Sequence, residues 1–249
     1  MLPLDSLSIA APAYNEAENL GPLVSGWIGY LQRHFAPGTF EIVICNDGSR
    51  DRTAEVLAEL ASAHSALRPC HHTVNQGAAA ALTTAIAHTT KNWVLLLDAD
   101  GQFPVENFER FAAEFARAPA PAFIGFRPRK EDSAFARFGS WASGLACNLC
   151  HGTRYRDFNC ALKLVEGPLL RSLPLEAKGL NYSTEISSRI LERAVLMREV
   201  AILHVPRRKG RSSRSLLRGT LHRFLLVAHI AFRQLLLRLH VLQRRPYSP

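Results

Sequence analysis

The segment Trp93-Val94-Leu95-Leu96-Leu97-Asp98-Ala99-Asp100-Gly101-Gln102 is an apolar run that ends abruptly in acid. Such a run predicts a strand buried on both faces. Side chains two residues apart on an extended chain point the same way, so Asp98 and Asp100 face one site just beyond the strand end. Two hard oxygen ligands, with Gln102 two residues on, suit Mg²⁺ or Mn²⁺ and a substrate diphosphate better than zinc. An isolated Asp-x-Asp is common and by itself marks no more than a solvated acidic turn. Its neighbours must raise it above that.

Working outward from this strand, apolar runs alternate with helical patterns. Leu7–Ala11 reads as a strand, with Pro12 and the segment 13–20 opening a helix, and Phe40–Cys45 reads as a second strand closed by the turn cluster Asn46-Asp47-Gly48-Ser49. A helical pattern follows over about 51–63, then a third strand at His71–Val74, Asn75-Gln76-Gly77, and an Ala-rich helix to about His88. Beyond Gln102 the pattern gives a helix at about 104–116, a strand at Ala122–Phe126, and a helix-like stretch at 133–150. A strand at Cys160–Val165, a helix at 183–194 and a last strand at Glu199–Val205 complete it. Strands separated by helices of this length imply repeated βαβ units on a mainly parallel sheet, an α/β fold. Ligands of such sheets bind at the carboxyl ends of the strands. Tyr14, Asp47, Gly77 and Asp98 all follow strand ends, so they converge on one crevice.

Composition narrows the class. The chain has 249 residues, 47% of them hydrophobic, enough for one sizeable core plus an appendage. Its net charge of +9 is a property of the tail, because residues 201–249 hold eleven Lys/Arg and neither Asp nor Glu. Such a tail implies a polyanionic partner, either anionic lipid headgroups or nucleic acid. Five scattered cysteines do not make a disulfide framework and fit a reducing compartment. The N-terminus shows no basic region followed by a signal-like apolar segment, and no run is long and apolar enough to span a bilayer.

Taken together, the motifs resemble those of the family 2 glycosyltransferases of the glycosyltransferase A fold, in particular the dolichyl- and polyprenyl-phosphate sugar synthases. The matching residues are Pro12-Ala-Tyr14-Asn15-Glu16, Asn46-Asp47-Gly48-Ser49-x-Asp51-x-Thr53, Asn75-x-Gly77 and Asp98-x-Asp100-x-Gln102. Gly125-x-Arg127, Asp157-x-Asn159-Cys160-x-x-Lys163, Glu185 and the basic segment 207–214 continue the series in family order. The resemblance implies a catalytic domain over residues 1–206 and a basic loop with an amphipathic, membrane-surface helix over 207–249. It implies that Pro12, Tyr14, Glu16, Asp47 and Gly77 serve the donor nucleotide, and that Asp98, Asp100 and Gln102 hold the metal. Arg127 and Arg137 fall where the family contacts the acceptor phosphate. Asp157 and Lys163 lie in its acceptor-side motif, and Arg208, Arg211, Ser212 and Arg214 in its phosphate-gripping loop. Two departures stand out: alanines follow Gly77 where the family often has a basic residue, and the lysine expected in the basic loop is either replaced by Ser213 or displaced to Arg214.

The implied chemistry is physically coherent. A nucleotide sugar needs its diphosphate leaving group neutralised, and a carboxylate-held divalent ion does this. A lipid monophosphate is already anionic at neutral pH, so it needs cations against phosphate–phosphate repulsion rather than a strong base. Guanidinium at 127, 137, 156, 208, 211 and 214 meets that need. A hydroxyl acceptor on a saccharide or small molecule would instead need a carboxylate base, for which Asp157 and Glu185 are the candidates. The expectation is therefore an inverting, metal-dependent transferase moving a sugar from a UDP- or GDP-sugar to a polyprenyl phosphate. It would sit in the cytoplasm, peripheral on the inner face of the cytoplasmic membrane.

Two features remain. Cys147-Asn-Leu-Cys150-His151 spells the c-type haem attachment pattern, but it falls within an amphipathic helix between matched motifs and reads as packing cysteines. On a helix from about 214 to 242, Leu217, Leu221, Phe224, Ala228, Ala231, Leu235 and Leu242 form an apolar seam, while Arg214, Arg218, His222, His229, Arg233 and His240 fall on another side. One seam can dock on the domain while the other apolar surface enters a headgroup layer. Capping the domain or meeting another copy are the alternative uses. A non-enzymatic nucleic-acid binder working through the tail is disfavoured, because the tail has few aromatic stacking residues and the acidic strand end would have no purpose.

Overall fold

The computed structural model describes residues 4–128, 134–176, 182–206, 216–239 and 246–247. Seven strands are β1 (Leu7–Ala13), β2 (Phe40–Asp47), β3 (Leu67–His72), β4 (Trp93–Leu96), β5 (Ala122–Phe126), β6 (Lys163–Glu166) and β7 (Met197–Ala201). They form one sheet in the order β3-β2-β1-β4-β6-β5-β7. Every adjacent pair is parallel except the two that include β6. The mainly parallel, mixed sheet expected from the motifs is the one observed. β1, β2 and β4 are buried almost throughout, as strands covered on both faces must be.

Helices α1 (Ala17–His34) and α2 (Thr53–Ala63) pack against each other, while α3 (Ala78–Ala87) lies on β1 and β2. Right-handed crossovers account for this: β1-α1-β2 and β2-α2-β3 advance one way along the sheet, and β3-α3-β4 returns the other way. The small buried residues Ala79, Ala81 and Ala85 let α3 approach the strands closely. α4 (Asn107–Arg117) joins α1 through Phe35 and Phe108, and α5 (Ala134–His151), α6 (Gly167–Arg171), α7 (Tyr182–Glu192) and α8 (Leu216–Arg238) complete the chain.

Several boundaries differ from the pattern-based reading, each for a local reason. The third strand runs over Leu67–His72 rather than His71–Val74 and contains Pro69, which is tolerated because β3 is an edge strand. Pro12 lies inside β1, but the pairing of β1 with β4 ends at Ala10, so no partner on that side needs its missing N–H. The last strand is Met197–Ala201, not Glu199–Val205. Beyond it the Asn107 side chain accepts from the Leu203 amide at 2.7 Å and donates to the Leu203 carbonyl at 2.9 Å, standing in for a neighbouring strand.

The tail helix forms as expected, but with a different inner face. Ile230, Gln234 and Leu237 are buried, and Ile230 packs with Cys147 and Phe158 in a small second core. Ala228, Ala231 and Leu235, expected to form the docking seam, point outward, and Arg233 turns inward to meet Glu192 at 3.0 Å. Apolar residues surround this helix, so the polar anchors Arg233 and Gln234 on Glu192 set its rotation. Among the described residues, no helix is long and apolar enough to cross a membrane.

Candidate functional site

β6 runs antiparallel, so its first residue, Lys163, pairs with Leu96 at the carboxyl end of β4 and with Ile124 near the carboxyl end of β5. The segment 157–162 before β6 therefore enters the same crevice as the ends of β1, β2, β4 and β5. That topology brings the early and late motifs together.

On the β1–β2 side, two turns are laced through side chains. The Asn15 amide donates to Ser49 Oγ at 2.9 Å and the Arg50 amide donates to Asn15 Oδ1 at 2.9 Å. Asn15 holds φ at +54°, a left-handed conformation that asparagine tolerates. Asp51 accepts from the Ala17 amide at 3.2 Å and the Thr53 amide at 3.0 Å, so one carboxylate covers the N-termini of α1 and α2. Desolvation pushes the Asp51 pKa up, but these bonds and the Thr53 hydroxyl outweigh it and hold the group below its ordinary value. Gly48, at φ +61°, is required here: a Cβ would sit 2.5 Å from the Val74 carbonyl carbon.

Asp47, expected to serve the donor nucleotide, is enclosed, with 1% exposure. Its carboxylate accepts from the Gln76 amide at 2.9 Å and the Gly77 amide at 2.7 Å, and meets His72 Nδ1 at 2.8 Å. His72 Nε2 continues to Thr84 Oγ1 at 2.9 Å. Asn75-x-Gly77 thus folds over the end of β2, and Gly77, at φ +96°, starts α3. Pro12 and Tyr14 stay half-buried at the end of β1, and Glu16 is buried and accepts from Asn19 at 2.6 Å.

At the centre, Asp98 and Asp100 are half-buried just past β4. Asp100 Oδ1 accepts from the Gln102 amide at 3.0 Å, a local turn, and the Gln102 carbonyl accepts from the Val205 amide at 3.0 Å. Asp98 Oδ1 accepts from the Tyr182 hydroxyl at 2.6 Å. Among the described residues, no three Asp, Glu, His or Cys side chains cluster to hold an ion on their own. Two carboxylates are the donor set of a Mg²⁺-type ion that takes its remaining ligands from substrate phosphates and water.

On the β5–β6 side, Arg127 Nε meets Asp157 Oδ2 at 2.8 Å and Nη2 lies 3.4 Å from Oδ1, a side-on ion pair at the end of β5. Arg156 is exposed, its guanidinium 4.5 Å over the Phe126 ring, and its amide donates to Glu199 at 2.6 Å. Lys163, expected in the acceptor-side motif, has 0% exposure. Its register opposite Leu96 turns the ammonium inward, where it donates to the Cys160 carbonyl and to Ser183 Oγ. Burial draws its pKa down to about 8, against the opposing pull of Cys160, Asp157 and Asp98.

Glu185 is also buried, accepting from the Glu176 amide at 2.9 Å and lying 3.5 Å from Arg189, which in turn meets Glu192 at 3.3 Å. Arg137 is exposed on the first turn of α5. Arg208, Arg211, Ser212 and Arg214 lie outside the described residues. The structure also supplies residues that the motifs missed. Tyr182 reaches Asp98 across 84 positions of sequence, and Ser183 and Thr184 bind the 159–160 segment. His151, from the haem-like pattern, instead meets Ser188 Oγ at 2.8 Å.

Comparison with known proteins identifies the family and the fold. Residues 8–168 match the family model described as Glycosyl transferase family 2. The chain is 33% identical over 105 residues to a dolichyl-phosphate beta-glucosyltransferase of Trichomonas vaginalis, covering 41% of this chain and 31% of that protein. It is 26% identical over 221 residues to an undecaprenyl-phosphate 4-deoxy-4-formamido-L-arabinose transferase of Pectobacterium atrosepticum, covering 86% and 64%. It therefore spans about a third to just under two thirds of the length of these curated relatives. In fold it is similar to the glucosyl-3-phosphoglycerate synthase of Mycobacterium tuberculosis in complex with Mn²⁺, uridine diphosphate and glucosyl-3-phosphoglycerate. That match has a TM-score of 0.62 at 18% identity, over 94% of this chain and 80% of that one. The architecture is the glycosyltransferase A fold. With the family model covering more than half of its length, the chain belongs to glycosyltransferase family 2.

Proposed function

We propose that this protein transfers a sugar, with inversion, from a UDP- or GDP-sugar to a polyprenyl phosphate at an anionic membrane surface. One observation carries the reading: the Asp98–Asp100 strand end separates a hydrogen-bonded nucleotide-side lattice from the Arg127–Asp157 pair. The relatives named for dolichyl-phosphate and undecaprenyl-phosphate transfer support it.

Asp98 and Asp100, with Gln102 beside them, would hold Mg²⁺ or Mn²⁺, which supplies charge neutralisation for the departing diphosphate. Tyr182 orients Asp98, so the carboxylate need not reorganise when the donor enters. Pro12, Tyr14 and Glu16 border the nucleoside, while Asp47 acts through the 75–77 loop. Arg127 and Arg156 receive the acceptor phosphate, with Arg137, Arg208, Arg211 and Arg214 adding cations and Ser212 a hydroxyl donor. Asp157 and Glu185 lie against Arg127 and Arg189, which favours an acceptor that is already anionic over a hydroxyl awaiting a base.

Residues 1–206 read as the catalytic domain and 207–249 as a basic loop and surface helix. The exposed Leu225, Phe232 and Leu235 of α8, with Leu239 just beyond it, would enter the headgroup layer. Replacing Leu225, Phe232 and Leu235 with glutamate should abolish sedimentation with phosphatidylglycerol liposomes, and unchanged sedimentation rejects the membrane role.

The decisive experiment combines the protein with Mg²⁺ or Mn²⁺, a panel of UDP- and GDP-sugars and a polyprenyl phosphate. Transfer that falls at least about a thousandfold in Asp98→Ala supports the reading. No transfer from any donor, together with no metal-dependent nucleotide binding, overturns it.

A further inference from the structure

Arg137, Trp141, Leu145 and Leu149 follow one another at four-residue spacing on α5. Residues so spaced form a slowly turning stripe, and Trp141 to Leu149 spans about 12 Å at ~1.5 Å per residue. Trp141, Leu145 and Leu149 are 60%, 44% and 71% exposed, a large apolar area to leave in water. The stripe borders a groove of about 170 Å³. Trp141, Gly144 and Leu145 form its α5 wall, and Tyr155, Arg156 and Asp157 face them. The groove therefore joins an apolar wall to the ion pair in which Arg127 holds Asp157.

We propose that this groove holds the first isoprenoid units of the acceptor lipid, with the phosphate directed to Arg127 and Arg156. The inference rests on the polyprenyl-phosphate reading above and adds where the hydrocarbon lies. The wall and the charges demand a ligand with an anionic head and branched hydrocarbon directly behind it. A saccharide could stack on the Trp141 indole, but it would leave the exposed Leu145 and Leu149 that continue the stripe uncovered. A stable protein partner buries on the order of 800 Å² per side, and α5 offers only a narrow stripe.

The exit is also consistent. Arg238, the last residue of α8, donates to the Cys150 carbonyl at 3.2 Å, so Leu149 lies beside the helix end that carries the exposed Leu235 and leads into Leu239. Hydrocarbon leaving the groove meets the apolar outer face of α8 rather than open water.

The test uses the full chain with water-soluble acceptors, so that bilayer binding plays no part. Initial rates are measured with dimethylallyl phosphate, which has one isoprenoid unit, and geranyl phosphate, which has two. In the wild type, the second unit should lower the acceptor KM by about tenfold, as expected for partial burial of five carbons. In Trp141→Ala and in Leu145→Glu that advantage should shrink to under about twofold, while Trp141→Phe should retain most of it. Both positions are exposed, so the variants keep the fold, which circular dichroism checks. A wild type that uses both phosphates equally well, or variants that keep the full tenfold advantage, overturns the groove and leaves the function standing. A wild type that uses no prenyl phosphate, even when long-chain and membrane-bound, overturns the function and the groove with it.

Discussion

Between β1 and β3, carboxylates are shared among backbone amides: Asp51 serves Ala17 and Thr53, and Asp47 serves Gln76 and Gly77. Between β5 and α7, carboxylates meet cations instead: Asp157 with Arg127, Glu185 with Arg189, and Lys163 buried among carbonyl and hydroxyl oxygens. Amide-bound carboxylates define loop shape. Ion pairs keep a cation in place at the cost of desolvating both partners, and they become available when a competing anion arrives. Under the proposed function, the donor half is organised before substrate binds, and the acceptor half is charge-compensated until a phosphate competes for Arg127.

Breaking the ion pair should have the largest effect. Arg127→Met leaves Asp157 buried without its guanidinium and should cost about 3–5 kcal/mol in urea unfolding. Adding Asp157→Leu should restore most of that stability, yet transfer should stay low because the phosphate loses its Arg127 guanidinium. A double variant that regains activity would show the pair to be purely structural.

Lys163 sharpens the contrast through pH. Its folded pKa is lowered from 10.5 to about 8, so the unfolded chain holds more proton between those values. Stability should therefore rise across pH 8 to 10.5, by up to about 3 kcal/mol, and be flat with respect to this group below pH 8. The difference between wild type and Lys163→Met in unfolding free energy across that window reads the contribution. An identical pH dependence in the two proteins would mean that Lys163 titrates normally.

Tyr182→Phe removes one hydrogen bond to Asp98 and should raise the Mn²⁺ concentration giving half-maximal rate by about 10–100-fold, with a smaller effect on thermal stability. Equal losses in metal response and in stability would assign the tyrosine to the fold alone. On the donor side, Asp51→Ala should cost about 1–2 kcal/mol of stability, since two helix N-termini lose their acceptor. It should raise the nucleotide-sugar KM several-fold and leave the acceptor KM nearly unchanged. A dominant acceptor effect would erase the distinction between the halves.

Much of the fold was legible before any coordinates. β2, β4 and β5 announce themselves as apolar runs, and the helix between each pair of early strands implies parallel pairing. The β3 and β7 boundaries were not legible, because an edge position excuses Pro69 and the Asn107 side chain replaces a strand partner. The rotation of α8 was also hidden, since a helix apolar on several faces is oriented by what Glu192 offers to Arg233 and Gln234.

The site divides in the same way. By itself the sequence determined that two carboxylates end β4 and that motifs at neighbouring strand ends share their crevice, because alternation along a strand and connection order are local properties. The inward-facing Lys163, the loop held by Asp47 and the contact of Tyr182 with Asp98 became visible in the folded chain alone. Those facts depend on the antiparallel insertion of β6 and on α7 reaching across to β4, and side-chain contacts made over so many positions leave no periodic trace in the chain.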